Sequence, residues 1–142
     1  MVAQPPESVL LVHAAATRAM TGIIWFVQWV HYPLFPFARG PRFEEFARRH
    51  QSRTGAVVGP LMLVEAASAL WIALAGGGPL AWTGLALVAV IWLSTAAAQM
   101  PRHRALERGY DEAQLRRLLR GNWVRTAAWT GRSLVALTLL AG

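Results

Sequence analysis

GAVVGPLMLVEAASALWIALA, residues 55–75, is followed by GGGP, residues 76–79, and then by LAWTGLALVAVIWLSTAAAQM, residues 80–100. Each flanking run is close to the ~20 residues a helix needs to cross a hydrocarbon layer of ~30 Å. Three glycines before a proline make a turn that forces a tight hairpin. Two adjacent antiparallel spans are therefore predicted at about Gly55 to Ala75 and Leu80 to Met100. Working outward, Val9 to Val30 and Trp123 to Ala141 are apolar runs of similar length. The expected fold is all-α: a transmembrane four-helix bundle forming a single integral membrane domain over residues 1–142.

Composition agrees. With 55% apolar and 15% charged residues in 142, the chain is too greasy for an ordinary soluble domain. All 14 basic residues are Arg, giving a net charge of +7. In a soluble protein that charge would raise nucleic acid as a partner. Here Arg clusters between apolar runs, where it meets anionic lipid, and nucleic-acid binding is not expected. The absence of cysteine excludes disulfides, thiolate chemistry, iron–sulfur clusters and covalent haem attachment. Met1 to Ser8 lacks a basic n-region and Arg18 interrupts the first apolar run, so no cleaved signal peptide is expected.

The charges also orient the chain. His31 to Thr54 carries Arg39, Arg42, Arg48, Arg49 and Arg53, and Pro101 to Gly121 carries Arg102, Arg104, Arg108, Arg116, Arg117 and Arg120. The glycine-rich turn and both termini carry none. By the positive-inside rule both Arg-rich loops are cytoplasmic and both chain ends lie outside.

Each loop holds a short amphipathic segment, at about 41–52 and 111–120. Phe43, Phe46 and Ala47 oppose Glu44, Glu45, Arg48 and Arg49; Leu115, Leu118 and Leu119 oppose Arg116, Arg117 and Arg120. Such segments are expected to lie flat as interfacial helices after spans 1 and 3. The order span, interfacial helix, span then occurs twice, with Gln28 and Pro33 echoed by Gln99 and Pro101. A repeat of this kind would place a ligand site between the two halves.

Charges inside a span are costly and usually face the bundle interior. Arg18, Glu65 and Arg132 qualify, the last two roughly 15 Å deep at ~1.5 Å rise per residue. One carboxylate cannot neutralise two guanidinium groups, so a mid-membrane anion pocket is expected; a purely structural ion pair is the competing reading. Helical spacing aligns Arg18, Trp25 and Gln28 on the first span, Gln99 on the third, and Asn122, Arg125, Trp129 and Arg132 on the fourth. Trp25 and Trp129 suit stacking on a planar ligand, with Gln28, Gln99, Asn122 and Arg125 at its cytoplasmic mouth.

His31, His50 and His103 offer a weaker alternative, a metal or haem site, although their spacing matches no ligand motif. His13 reads as an interfacial residue near the outer face. No Ser-His-Asp pattern, phosphate loop or carboxylate pair is present, which argues against conventional hydrolase and kinase chemistry.

Residues 25–34 (WFVQWVHYPL), 59–65 (GPLMLVE) and 122–129 (NWVRTAAW) resemble those of a family of small bacterial four-span membrane proteins of unknown function. More distantly, the layout is similar to that of anthrone-oxygenase-like membrane proteins. That second resemblance implies oxidation of a polycyclic phenol without an obvious cofactor, and transfers no catalytic residue.

The resulting expectation is a protein of the bacterial cytoplasmic membrane that binds, with or without oxidising, a small lipophilic aromatic or quinone-like anion. Arg18 and Arg132 would hold its oxygen, and Glu65, the candidate catalytic group, would orient an Arg or move a proton. The alternative is a non-catalytic accessory subunit of a larger membrane complex, or a homo-oligomer. No cofactor is assigned.

Overall fold

A computed structural model describes residues 5–142. The leader-peptide expectation rests in part on residues 1–4, which lie outside the described residues. Among the described residues the chain is all-helical and has no strand.

Helix α1 runs from Glu7 to Phe26, widens into a π turn over Val27–His31, and continues as a 3-10 helix from Tyr32 to Ala38. Helix α2 spans Phe43–Leu74 and α3 spans Gly78–Ser94. A second π turn, Thr95–Gln99, leads into the short α4, Met100–Leu106, and α5 spans Glu112–Ala141. Long helices pack as α1 on α2 and α5, and α3 on α2 and α5. Counted through their continuing turns, Glu7–Ala38, Phe43–Leu74 and Gly78–Leu106 are long and apolar enough to cross a membrane.

Both π turns end two residues before a proline, Pro33 and Pro101. A proline inside an α-helix lacks an N–H and clashes with the carbonyl four residues back. Widening the preceding turn relieves this, as the N–H of Tyr32 reaches the Val27 carbonyl and that of Met100 reaches Thr95. The paired features make the repetition in chain order visible: a long helix, a π turn before proline, a short helix, then a second long helix.

The hairpin between α2 and α3 is as tight as its glycines suggest. Gly76 and Gly78 have φ of 87° and 68°, and a Cβ on Gly77 would sit 2.7 Å from the Ile72 carbonyl oxygen.

The segments expected as separate interfacial helices are not separate. The first is the opening of the 32-residue α2 and the second the opening of the 30-residue α5, capped by Asp111, whose Oδ1 accepts from the backbone N–H groups of Ala113 and Gln114. Their apolar faces find a protein partner: Phe43, Ala47, Leu115 and Leu118 are buried with Val27, Tyr32, Phe35 and Leu106. With those faces buried against protein, nothing requires the chain to break and lie flat. Both Arg-rich segments thereby come to the same end of the molecule.

The distribution of polarity is inverted relative to a soluble protein. Outward positions include Leu11, Phe26, Leu63, Trp71, Trp82, Leu93 and Leu134, while His13, Thr17, Gln28, Glu65, Ser68, Gln99, Asn122, Thr126 and Arg132 are buried. Buried polar and ionisable groups facing a bundle interior, with apolar groups outside, suit lipid surroundings.

Candidate functional site

The charged layer forms around α2 and α5. Arg132 donates from Nε to Glu65 Oε1 at 2.7 Å, and the second carboxylate oxygen accepts from the Trp129 indole N–H at 2.9 Å. Arg132 Nη1 donates to the carbonyl of Gly84 on α3. Gly84 also lets α3 pack closely on α5, because a Cβ there would lie 3.1 Å from Val135. Arg132 and Glu65 are 1% and 3% exposed, and Arg132 Nη2 is buried without a partner. His13 is buried beside this layer with Nδ1 2.9 Å from Ser68 Oγ, which corrects its reading as an interfacial residue.

Arg18 does not join them. It is exposed, and among the described residues it makes no ion pair or hydrogen bond, while its neighbour Thr17 is fully buried. One residue is 100° around a helix, so turning Thr17 inward turns Arg18 out. The buried stripe of α1 and the π turn that follows it includes His13, Thr17, Met20, Ile24, Val27 and Gln28. The expected three-charge cluster is therefore a balanced pair, without excess positive charge. Trp25 also faces outward, donating its N–H to Thr130 at 3.0 Å and meeting Trp123 edge-on at 5.7 Å.

Trp129 links this layer to a second polar group nearer the Arg-rich end. Its ring carries the Arg125 guanidinium at 5.2 Å, a cation–π contact. Arg125 Nη1 also donates to Asn122 Oδ1 at 3.3 Å. Asn122 donates to Gln28 Oε1 at 2.9 Å, and Gln28 donates to the Leu119 carbonyl. Three of the four residues expected at the cytoplasmic mouth thus form one chain of bonds.

The fourth, Gln99, stands apart. It sits on the second π turn, 1% exposed, and neither its amide nitrogen nor its oxygen has a partner. The Nε of Arg125 is likewise buried and unpaired. Gln99 lies close against Gly121, where a Cβ would be 2.8 Å from its amide nitrogen. Buried polar atoms without partners cost roughly 1–3 kcal/mol each, so such a pair calls for an explanation.

Gln99 and Arg125 line one cavity of about 250 Å³, between the two halves of the chain. Its apolar wall includes Met20, Ile24, Val58 and Met62, and its polar side adds Tyr32, His50 and His103. The Tyr32 hydroxyl and His103 Nε2 are 2.9 Å apart, His31 Nε2 and His50 Nδ1 are 2.7 Å apart, and the His50 and His103 rings lie 5.4 Å apart. Glu65 and Arg132 do not line this cavity. The cavity is lined instead by Gln99 and Arg125, two of the residues expected at its cytoplasmic mouth.

Comparison with protein-family models, curated proteins and solved structures found no match to this chain.

The three histidines of the metal alternative do come together. Among the described residues, however, no group of three His, Asp or Glu side chains is arranged to hold a metal ion. One ring nitrogen of each is engaged instead, His31 Nε2 with His50 Nδ1 and His103 Nε2 with the Tyr32 hydroxyl. Tyr32 is the residue that sequence reasoning left out of the site. The signal for it was its position between His31 and Pro33, since the proline-induced π turn directs it inward.

Proposed function

We propose that this is an integral membrane protein that binds a small lipophilic aromatic or quinone-like molecule in the cavity bounded by Gln99, Arg125, Tyr32 and His103. The observation that carries this reading is that two groups left unsatisfied in the interior, Gln99 and the Nε of Arg125, belong to residues lining the same cavity, whose polar side also holds Tyr32, His50 and His103. A ligand oxygen would accept from Arg125 and from the Gln99 amide N–H, and a ligand O–H or N–H would satisfy Gln99 Oε1. The methionines and aliphatic side chains opposite suit a flat apolar body, since Met adapts to irregular shapes. A volume of about 250 Å³ is at the small end for ligand pockets, fitting one or two rings rather than a long chain.

In this reading α5 is a fourth span, its Asn122, Arg125 and Arg132 buried against protein rather than lipid. The Arg-rich end faces the cytoplasm and anionic lipid, both chain ends lie outside, and the membrane is the bacterial cytoplasmic membrane, as the sequence resemblance implies. The experiment is to purify the protein in detergent and identify retained small molecules by mass spectrometry. An aromatic or quinone-like compound retained by the wild type and lost from Gln99→Leu supports the reading; identical retention by the variant removes it.

The buried Glu65–Arg132 pair favours a second reading for its own layer, as a polar contact that sets helix register in an accessory subunit. A chain stable only together with partner chains after extraction would favour that reading.

A further inference from the structure

We infer that His31 and His50 form a proton relay between a cleft on the outside of the bundle and the cavity, so that the molecule bound there exchanges a proton with the aqueous side. The binding half of this inference rests on the function proposed above; the relay itself does not.

The geometry is that of a wall crossed by two rings. His31 is half-buried and lines an outer cleft with Phe26, Arg53 and Val57, whereas His50 is buried and lines the cavity. Their facing nitrogens, His31 Nε2 and His50 Nδ1, are 2.7 Å apart, and Thr54 Oγ1 lies 3.1 Å from the same His50 nitrogen. Each imidazole has two nitrogens and passes a proton by taking one on one side and releasing one on the other. The cleft is mostly apolar, walled also by Ile23, Val27 and Val58, and exposed Arg53 is its one charged side chain among the described residues, joining its outer end to the Arg-rich headgroup-level region. The charged and titratable groups facing the pair are therefore Arg53 in the cleft and Tyr32, His103 and Arg125 around the cavity.

The step balances without electrons. The acidic O–H of a bound molecule gives its proton to His50 Nε2, His50 Nδ1 gives its own to His31 Nε2, and His31 Nδ1 releases one to water. One proton enters, one leaves, and the ligand remains as its anion beside Arg125. The ligand class is thus a weakly acidic lipophile, such as a phenol, rather than a hydrocarbon or a fixed anion.

The test uses the full chain in lipid nanodiscs with ¹⁵N-labelled histidine, following exchange of the His50 ring protons with water by NMR. His31→Phe keeps the aromatic packing of His31 against Phe26 and Phe35 and should slow that exchange by about a hundredfold or more, the usual contribution of a positioned proton-transfer group. His31→Gln, which keeps a hydrogen-bonding group but cannot pass a proton, should slow it similarly and serves if the Phe variant does not fold. Exchange at the wild-type rate in either folded variant overturns the relay. In a second arm, 4-nitrophenol binding is read by its phenolate absorbance after a pH jump. Bound probe should follow the jump in the wild type and lag in His31→Phe. Failure of the wild type to bind 4-nitrophenol overturns the binding half, and the exchange rates alone then decide the relay.

Discussion

Arg132 on α5 reaches Glu65 on α2 with its Nε 2.7 Å from the carboxylate, and neither side chain is more than 3% exposed. Removing one member of such a pair strands a buried charge, which typically costs about 3–5 kcal/mol, whereas replacing both with apolar groups is often close to neutral. Glu65→Leu and Arg132→Leu should each lower thermal stability in detergent markedly. The double variant should recover much of the loss, and a double-mutant cycle measures the coupling. Simple addition of the two single effects would show that the groups do not depend on each other.

Gln99→Leu should separate stability from binding. Removing two unpaired buried polar atoms relieves a penalty of roughly 1 kcal/mol or more in the empty protein, so its melting temperature should rise or hold. Ligand retention, measured by mass spectrometry, should fall. A variant that melts earlier and keeps its ligand would show that the amide is held by bonds within the protein.

Arg18→Leu is expected to be neutral or mildly stabilising, since the side chain is exposed on α1 and makes no ion pair or hydrogen bond among the described residues. In lipid its removal also spares the cost of an outward-facing charge. Loss of the retained small molecule in this variant would return Arg18 to the binding site.

The absence of cysteine makes topology simple to measure. Single-cysteine variants at Ser8, Gly109 and Gly142 should divide in intact cells: a membrane-impermeant maleimide should label Ser8→Cys and Gly142→Cys, while Gly109→Cys reacts only after permeabilisation. Labelling of one chain end but not the other would mean an odd number of spans and would exclude α5 or one of its neighbours from crossing.

The lesson for sequence reading lies in which helix faces were legible. On α5 the polar residues Asn122, Arg125, Thr126, Trp129 and Arg132 share one stripe, and that stripe is buried. On α1 two stripes compete, and the one richer in Trp and Arg is turned outward. Trp25 and Trp29 are 38% and 64% exposed, as suits aromatic side chains at a membrane boundary, while the small and apolar stripe through Ala16, Thr17 and Met20 packs inside. Aromatic content alone does not tell a ligand wall from a lipid belt.

Residue chemistry and order were enough to establish helices long and apolar enough for a membrane, the tight turn at Gly76 to Gly78, the clustering of Arg and the echo between Pro33 and Pro101, because each depends on neighbours a few positions away. Which polar groups meet was decided only by tertiary packing. The partners of Glu65, Tyr32 and His50 lie on other helices, and a rotation of 100° per residue decides whether a side chain finds them or faces out.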